Sequence, residues 1–440
     1  MATQPAVEPA TWGRALADRR FRTVLLLLAG VPIVLAYLWY GVIHPLLSYE
    51  ATDFVRTYMA GARMVAAGKD PYLCNVGSCG GFPHYLIFYP PFVLWAMTPL
   101  VGLNTQLAAG VALLVTNLFL LAFVWLVLRA LDVRDWQFSA LALVATIGFA
   151  PTLTEVQNRN LQIGVLALSA LFLLAYCRGD RWWGGAALGL AIAIKLIQAP
   201  LVLLAFWGRR WTIVAAGAVT GAVLWLVGAP QYLLEYLFKI APAQAQGSAE
   251  VINAAPFGTV NRLLHPESLY NSGLGGGPLV LAISVAIGLA VLLLTALRLR
   301  APRTDAGGRA LEVAVAVAAS PLLVTLVYAG QFVLLLLPMI VLAEFGFRTR
   351  SRGTVLAVGA SWLLLGPSFL AFTNAMANGF GFPLLFLVWA NSPILGTVVL
   401  WLTSLGALAP KPSHVPRALS GSGAPAGLVV ERSAAGEPGH

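Results

Sequence analysis

Charge is what this 440-residue chain has least of: 27 Lys and Arg and 17 Asp and Glu make up 10% of it, against 59% hydrophobic residues. A soluble domain carries about a quarter of its residues charged, so a surface wetted on all sides is excluded. The three Cys and five His show no zinc-ligand spacing, and no metal is expected. Despite 43 glycines there is neither a Gly-rich phosphate loop nor an internal repeat. What is present is a succession of apolar runs, many near the roughly 20 residues that a helix needs to cross a bilayer. Only helices satisfy their own backbone groups in lipid at that length, so the chain reads as an all-α polytopic membrane protein. The net charge of +10 does not call for nucleic acid, because the basic residues gather between apolar runs, as in cytoplasmic loops. Membrane lipids are the expected surroundings.

Arg14, Arg19, Arg20 and Arg22 precede the first run, Val24 to Ile43, and no small-residue cleavage pattern follows it, so it reads as a retained span. Two runs cannot be simple crossings. The run 86–102 holds Pro90, Pro91 and Pro99, which break helices, and is expected to lie partly inserted on the outer side. The run 183–207 holds Lys195 at its middle and Pro200 soon after, and is expected to be a broken re-entrant hairpin. Ten crossings then remain, with a cytoplasmic N-terminus over 1–23, a membrane domain over 24–405, outer loops over 44–106 and 230–277, and a disordered cytoplasmic tail over 406–440. This arrangement puts every Lys and Arg on the cytoplasmic side except Arg56, Arg63, Lys69, Arg159, Lys195, Lys239 and Arg262.

Several polar residues stand out against this background. In the first outer loop, S-Y-E-A-T-D-F-V-R-T-Y-M-A-G-A-R, helical spacing puts Asp53, Arg56, Thr57 and Arg63 near one face and Phe54, Val55, Tyr58 and Ala62 near another. Asp53 at that position is either a helix cap or a general base for an acceptor hydroxyl. Cys74 and Cys79 close a short stretch of the same loop, which favours a disulfide on an oxidising face over free thiols or a metal. Cys177 reads as an inert thiol. His84, Tyr85, Tyr89 and Trp95 form either an interfacial aromatic belt or a lining for a sugar or lipid tail. Glu155, Gln157, Asn158, Arg159, Asn160 and Gln162 crowd one short connection, as a cap or a binding cluster. Lys195 is costly at membrane depth and so points to function, with a phosphate as its natural partner and snorkelling or Glu155 as alternatives. Asn253, Asn261, Arg262, His265 and Glu267 are the polar residues of the second outer loop, and Gln331 is a buried amide in need of a partner.

These segments together resemble glycosyltransferase family 87, over roughly residues 45–345. The resemblance rests on D-F-V-R-T-Y-M-A-G-A-R-M-V-A-A-G-K-D-P-Y, Y-P-P-F with T-P-L, R-N-L-Q-I-G-V-L, G-A-A-L-G-L-A-I-A-I-K and A-S-P at 319–321. It departs at Gln331, where the family often carries histidine, and at Pro200, five residues past the lysine rather than three. The resemblance implies a GT-C-like helical bundle with about ten full crossings, a re-entrant hairpin and outer juxtamembrane helices. It implies an inverting transferase, mannosyltransferase-like, in a bacterial plasma membrane, with the active site on the non-cytoplasmic side. Asp53 is then the implied base and Lys195, Arg159 and Arg262 the donor-phosphate ligands. Arg56, His84, Tyr85, Tyr89, Glu155, Asn160, Gln162, Asn253 and Gln331 are the expected substrate contacts. The donor would be a polyprenyl-phosphate sugar and the acceptor a glycolipid or lipoglycan, with no further cofactor. A transporter or flippase of a lipid-linked anion is the competing class, and paired broken repeats would mark it.

Overall fold

The computed structural model describes residues 19–49, 52–76, 86–248, 252–266, 276–366 and 390–409. The chain forms one body, Met1–Leu408, and a second unit, Ala409–His440. Of the expected tail only residues up to 409 are described. All regular structure among the described residues is helical.

The elements that matter for the site run in this order. Helix α1 (Arg19–Tyr37) continues through a wide π-type turn (Leu38–Ile43) into His44–Leu47. A second π-type turn (Phe54–Met59) leads into α2 (Ala60–Ala66), followed by α3 (Pro91–Ala96). Then come α4 (Thr105–Ala130), α5 (Trp136–Ile147), α6 (Ala150–Asn158), α7 (Gln162–Cys177) and α8 (Trp182–Ile194). The remainder comprises α9 (Ala199–Trp207), α10 (Trp211–Val227), α11 (Pro256–Leu264), α12 (Pro278–Leu299), α13 (Ala306–Ala319), α14 (Leu336–Thr349), α15 (Arg352–Leu365) and α16 (Ser392–Ala407).

The count of crossings differs from the sequence expectation. Among the described residues four helices are long and apolar enough to span a bilayer: Leu26–Leu47, Thr105–Ala130, Pro278–Leu299 and Ala329–Thr349. Two bent pairs, Trp136–Ile147 with Ala150–Asn158 at 60° and Trp211–Val227 with Pro230–Ala245 at 95°, raise that to six. The expected ten is not confirmed: further apolar helices, such as Gln162–Cys177, Arg352–Leu365 and Ser392–Ala407, are shorter, and residues 367–389 lie outside the described residues. Breaks fall in or beside several apolar runs. Gly148 and Phe149 interrupt one, with Pro151 in the first turn of α6. Ala229, in the left-handed region at φ 54°, ends another. In the run 183–207 the helix ends at Lys195, which is extended at φ −147° and ψ 122°, and Pro200 starts α9. The break falls where Lys195 and Pro200 predict it, but a return of this hairpin to the same side is not established. The run 86–102 is likewise broken, into α3 and a turn at Thr98–Leu100.

Packing follows two rules. Helices α7 and α13 are buried on nearly every side and form the centre, whereas α1, α10 and α12 expose leucines and valines outward. Lipid gives helices no hydrophobic drive to associate, so close approach through small residues takes its place. Helix α8 meets α10 in this way: a Cβ on Gly185 would stand 2.3 Å from the Ile213 carbonyl, and one on Gly189 2.3 Å from the Gly217 carbonyl. Polar side chains inside the bundle bond to their own helix four residues back, as Ser169 does to Val165 at 2.8 Å and Ser404 to Leu400 at 2.8 Å. Cys74 is disulfide-bonded and Cys177 is a free thiol. The expected partner Cys79 lies outside the described residues, as do His84, Tyr85 and Glu267.

Candidate active site

The helix that opens with the π-type turn Phe54–Met59 begins with a division of labour between neighbours. Thr52 Oγ1 accepts from the Val55 amide at 3.4 Å, while Asp53 makes no side-chain cap. The carboxylate is therefore directed elsewhere, and the helix-cap alternative for Asp53 fails. It turns inward instead: Asn160 Nδ2 donates to Asp53 Oδ2 at 3.0 Å.

Asn160 is placed by the end of α6. Arg159 takes the left-handed conformation at φ 51°, ψ 40° and closes the helix, a geometry that costs a non-glycine residue about 1 kcal/mol or more. Its guanidinium offsets that cost through three backbone carbonyls: Nε donates to Ala109 at 3.0 Å, one terminal nitrogen to Gln157 at 2.9 Å, and the other to Pro45. The chain then turns so that the Asn160 amide faces Asp53 and the α8 break together.

Four groups converge there. Asn160 Oδ1 accepts from Lys195 Nζ at 3.0 Å, from the Tyr58 hydroxyl at 3.1 Å and from the Gln162 amide at 3.1 Å. The same Tyr58 oxygen accepts from the Leu161 amide at 3.3 Å. Tyr89 packs its ring 4.5 Å from that of Tyr58, centroid to centroid, and Lys195 Nζ lies 5.5 Å from the Tyr89 centroid, within cation–π range. Burial raises the Asp53 carboxyl above its ordinary value, opposed by the Asn160 hydrogen bond and by the Lys195 charge. A half-buried base beside a half-buried ammonium, both held by one neutral amide, can take a proton on one side and steady an anion on the other.

Glu155 stands close by, one turn before Asn160, whose amide donates to the Glu155 carbonyl at 2.9 Å. Its side chain is 5% exposed, and the charges of Lys195 and Asp53 both act on it. It lies against Gly330, where a Cβ would fall 2.0 Å from Glu155 Oε1, so the segment carrying Gln331 packs directly on α6. Gln331 itself is half-buried. Gln162 is fully buried at the start of α7. Arg56 is half-buried on the same turn as Asp53.

The segment that carries Asn253 and Arg262 forms a separate cluster. Asn253 fills all four amide positions with backbone: Oδ1 accepts from Ala255 at 3.0 Å and Val327 at 3.1 Å, while Nδ2 donates to Ser248 and Thr325, each at 2.9 Å. Arg262, 1% exposed, donates to Asn391 Oδ1 from Nε at 3.1 Å and a terminal nitrogen at 2.9 Å, and to the Asn253 carbonyl at 2.7 Å. Burial lowers its pKa to about 10, which leaves it charged at neutral pH. Arg262 and Asn253 thus tie the loop to α16, and Arg159 ties α6 to α4 and to Pro45. The donors of both arginines named above are engaged by the protein. Among the described residues no three His, Cys, Asp or Glu side chains gather as metal ligands.

Tyr58 is the residue that sequence reasoning missed. An α-helical wheel puts it opposite Asp53, but the first turn of this helix is π-type, where hydrogen-bond neighbours are five residues apart. That wider turn brings Tyr58 round beneath Asp53. Only the four β-branched or aromatic residues within the six-residue stretch F-V-R-T-Y-M hinted at an irregular helix start.

The sequence model of glycosyltransferase family 87 matches residues 87–325, a stretch that includes Tyr89, Asn160 and Lys195 and begins after Asp53 and Tyr58. An α-(1→3)-arabinofuranosyltransferase of Mycobacterium tuberculosis (strain CDC 1551 / Oshkosh) is 30% identical over 152 residues, which cover 34% of this chain and 35% of the relative. An α-(1→3)-arabinofuranosyltransferase of Corynebacterium glutamicum is 28% identical over 161 residues, 34% of this chain and 38% of the relative. The match thus spans little more than a third of the length of these relatives. No solved structure matches.

Proposed function

The chain belongs to glycosyltransferase family 87, and we propose that it moves a sugar from a polyprenyl-phosphate donor to a hydroxyl of a glycolipid or lipoglycan, at the non-cytoplasmic face of a bacterial plasma membrane. The observation that carries this reading is the single amide of Asn160, which bonds Asp53 at 3.0 Å and Lys195 at 3.0 Å. Asp53 takes the proton of the acceptor hydroxyl as its oxygen attacks the anomeric carbon. The bond from that carbon to the phosphate oxygen breaks, and polyprenyl phosphate leaves with the electron pair. One displacement inverts the anomeric centre. The leaving group is a phosphate-monoester dianion, whose conjugate acid has a pKa of only about 6, so Lys195 can steady its charge without a general acid, and no cofactor beyond the lipid-linked donor is needed. Arg159 and Arg262, expected at first to share the phosphate, act in this account through the backbone they hold.

The sugar is where the account departs from the mannose expectation. Both relatives named above are arabinofuranosyltransferases, which favours a pentofuranose donor over mannose. A transfer assay on purified protein, with polyprenyl-phosphate-arabinofuranose and polyprenyl-phosphate-mannose compared side by side, tests both levels. Transfer from the first alone supports the pentofuranose reading; transfer from the second alone restores mannose; transfer from neither counts against the donor class.

A further inference from the structure

Buried polar atoms without partners are concentrated beside this site. Nine such side-chain atoms occur among the described residues, and six belong to four side chains: Thr152 Oγ1, Glu155 Oε2, and both amide atoms of Gln162 and of Gln198. Thr152, Gln162 and Gln198 are each 0% exposed and Glu155 is 5% exposed. Two of the remaining three, on Asp180 and Arg210, belong to side chains already paired with each other at 2.6 Å. A folded interior satisfies nearly all its polar groups, so a group of unsatisfied ones needs an explanation.

Their positions supply one. Gln162 donates its backbone amide to the same Asn160 oxygen that receives Lys195. Gln198 lies in the single turn Leu196–Gln198 that directly follows Lys195, and this turn packs against Ser320–Leu322. Glu155 feels the charges of both Lys195 and Asp53, and Thr152 lies one turn before it on α6. The four side chains thus lie on the elements that carry or flank Asn160 and Lys195.

The chemistry of the set is distinctive. Two primary amides offer donors and acceptors together, a carboxylate offers acceptors, and a hydroxyl offers either. A bare phosphate would call for cations, and a lipid tail for none of these groups. Neighbouring ring hydroxyls, each both donor and acceptor, match the set. We infer that Glu155, Gln162 and Gln198 hold the hydroxyls of the donor sugar, each from an element that carries or bonds to Lys195 or Asn160. This rests on the transferase reading above and deepens it, since it assigns the groups that read the sugar separately from the one that reads the phosphate. Gln198 is a specificity residue that the sequence pattern did not single out.

The test uses the purified full chain and two probes, polyprenyl phosphate and polyprenyl-phosphate-arabinofuranose, with Gln162→Met, Gln198→Met and Glu155→Gln variants. Removing an unsatisfied buried amide should leave the melting temperature of the unliganded protein unchanged or raised. Each variant should bind polyprenyl phosphate as the wild type does, yet bind the sugar-bearing lipid about tenfold more weakly or worse, the loss expected for about one hydrogen bond to a buried group. If a methionine variant does not fold, Gln198→Asn, which withdraws the amide by one methylene, is read the same way. Variants that bind both lipids like the wild type, or that lose both equally, overturn the inference. If the wild type binds neither lipid, the transferase reading falls and takes this one with it; if it binds both and only the variant pattern is absent, the inference alone fails.

Discussion

Asp53 and Lys195 are joined by one side chain: Asn160 donates to the carboxylate at 3.0 Å and accepts from the ammonium at 3.0 Å. The tie links the start of the Phe54–Met59 turn, the turn after α6 and the break after α8, three places far apart in sequence. Neither charge pairs directly with the other, and a neutral bridge of this kind keeps both at the site without cancelling them.

Asn160→Ala should therefore cost activity through both ends. A loss of about 100-fold in kcat is expected, in the range seen when a positioned acid–base group or an electrostatic donor is removed. Asn160→Asp replaces the neutral bridge with a like charge beside Asp53, which raises the Asp53 pKa further. Its pH–rate profile should lose activity at a higher pH than the wild type on the acid side.

The pH dependence of the wild type follows from burial of Asp53, which holds its carboxyl above the ordinary value. The base form exists above that pKa, so activity should be lost as the pH falls through a value above the usual 4 or so of an aspartate. For stability the sign is opposite. A carboxyl whose folded pKa is raised stabilises the fold at low pH, and that contribution disappears as pH rises through the folded value. Asp53→Asn should accordingly melt no lower than the wild type at neutral pH, as differential scanning fluorimetry would report.

Lys195→Met is expected to lower kcat/KM for the donor by about 100-fold or more, because its ammonium is the cation nearest the leaving phosphate in this account. Stabilisation by polyprenyl phosphate, read as a shift in melting temperature, should shrink with it. Lys195→Met with an undiminished shift would remove Lys195 from the phosphate.

Arg159→Met and Arg262→Met should act differently from Lys195→Met. Each removes several hydrogen bonds to buried carbonyls or to Asn391, and each lost partner leaves a buried acceptor unmet at about 1–3 kcal/mol. Lower melting temperatures, with donor KM little changed in the protein that still folds, are the expected result. Donor KM raised tenfold at unchanged stability would return either arginine to the phosphate.

Gly189→Leu should break the seam between α8 and α10, where even a Cβ would fall 2.3 Å from the Gly217 carbonyl. Overpacking of this sort costs typically 1–3 kcal/mol or more, and it bears on function because α8 carries Lys195 at its end. Loss of melting temperature together with activity is the expected pair.

Much of the site was legible in the sequence, for identifiable reasons. Lys195 showed because an ammonium inside an apolar run has no cheap explanation, and Asn160, Gln162 and Glu155 showed because polar residues crowd one short connection. The helix-cap reading of Asp53 could not be dismissed from spacing, since the choice depended on Thr52 taking the cap. Tyr58 was hidden by a π-type turn that no periodicity announces. Gln198 was hidden because one amide among apolar neighbours is unremarkable until its lack of partners is seen. The count of ten crossings is not confirmed: four helices, or six with the bent pairs, meet the length and apolarity of a span among the described residues, and apolar helices such as Gln162–Cys177 are shorter. Arg159 and Arg262 looked alike as stray cations, and only their hydrogen bonds assign them to the backbone and to Asn391.

The most direct measurement compares wild type and Asp53→Asn in a transfer assay with polyprenyl-phosphate-arabinofuranose and a glycan acceptor, alongside donor binding by melting-temperature shift. With Asp53 as the base, the variant should bind donor as well as the wild type and transfer sugar about 1,000-fold more slowly or less, in the range that loss of general-base catalysis spans. Equal transfer rates in the two proteins would contradict the account.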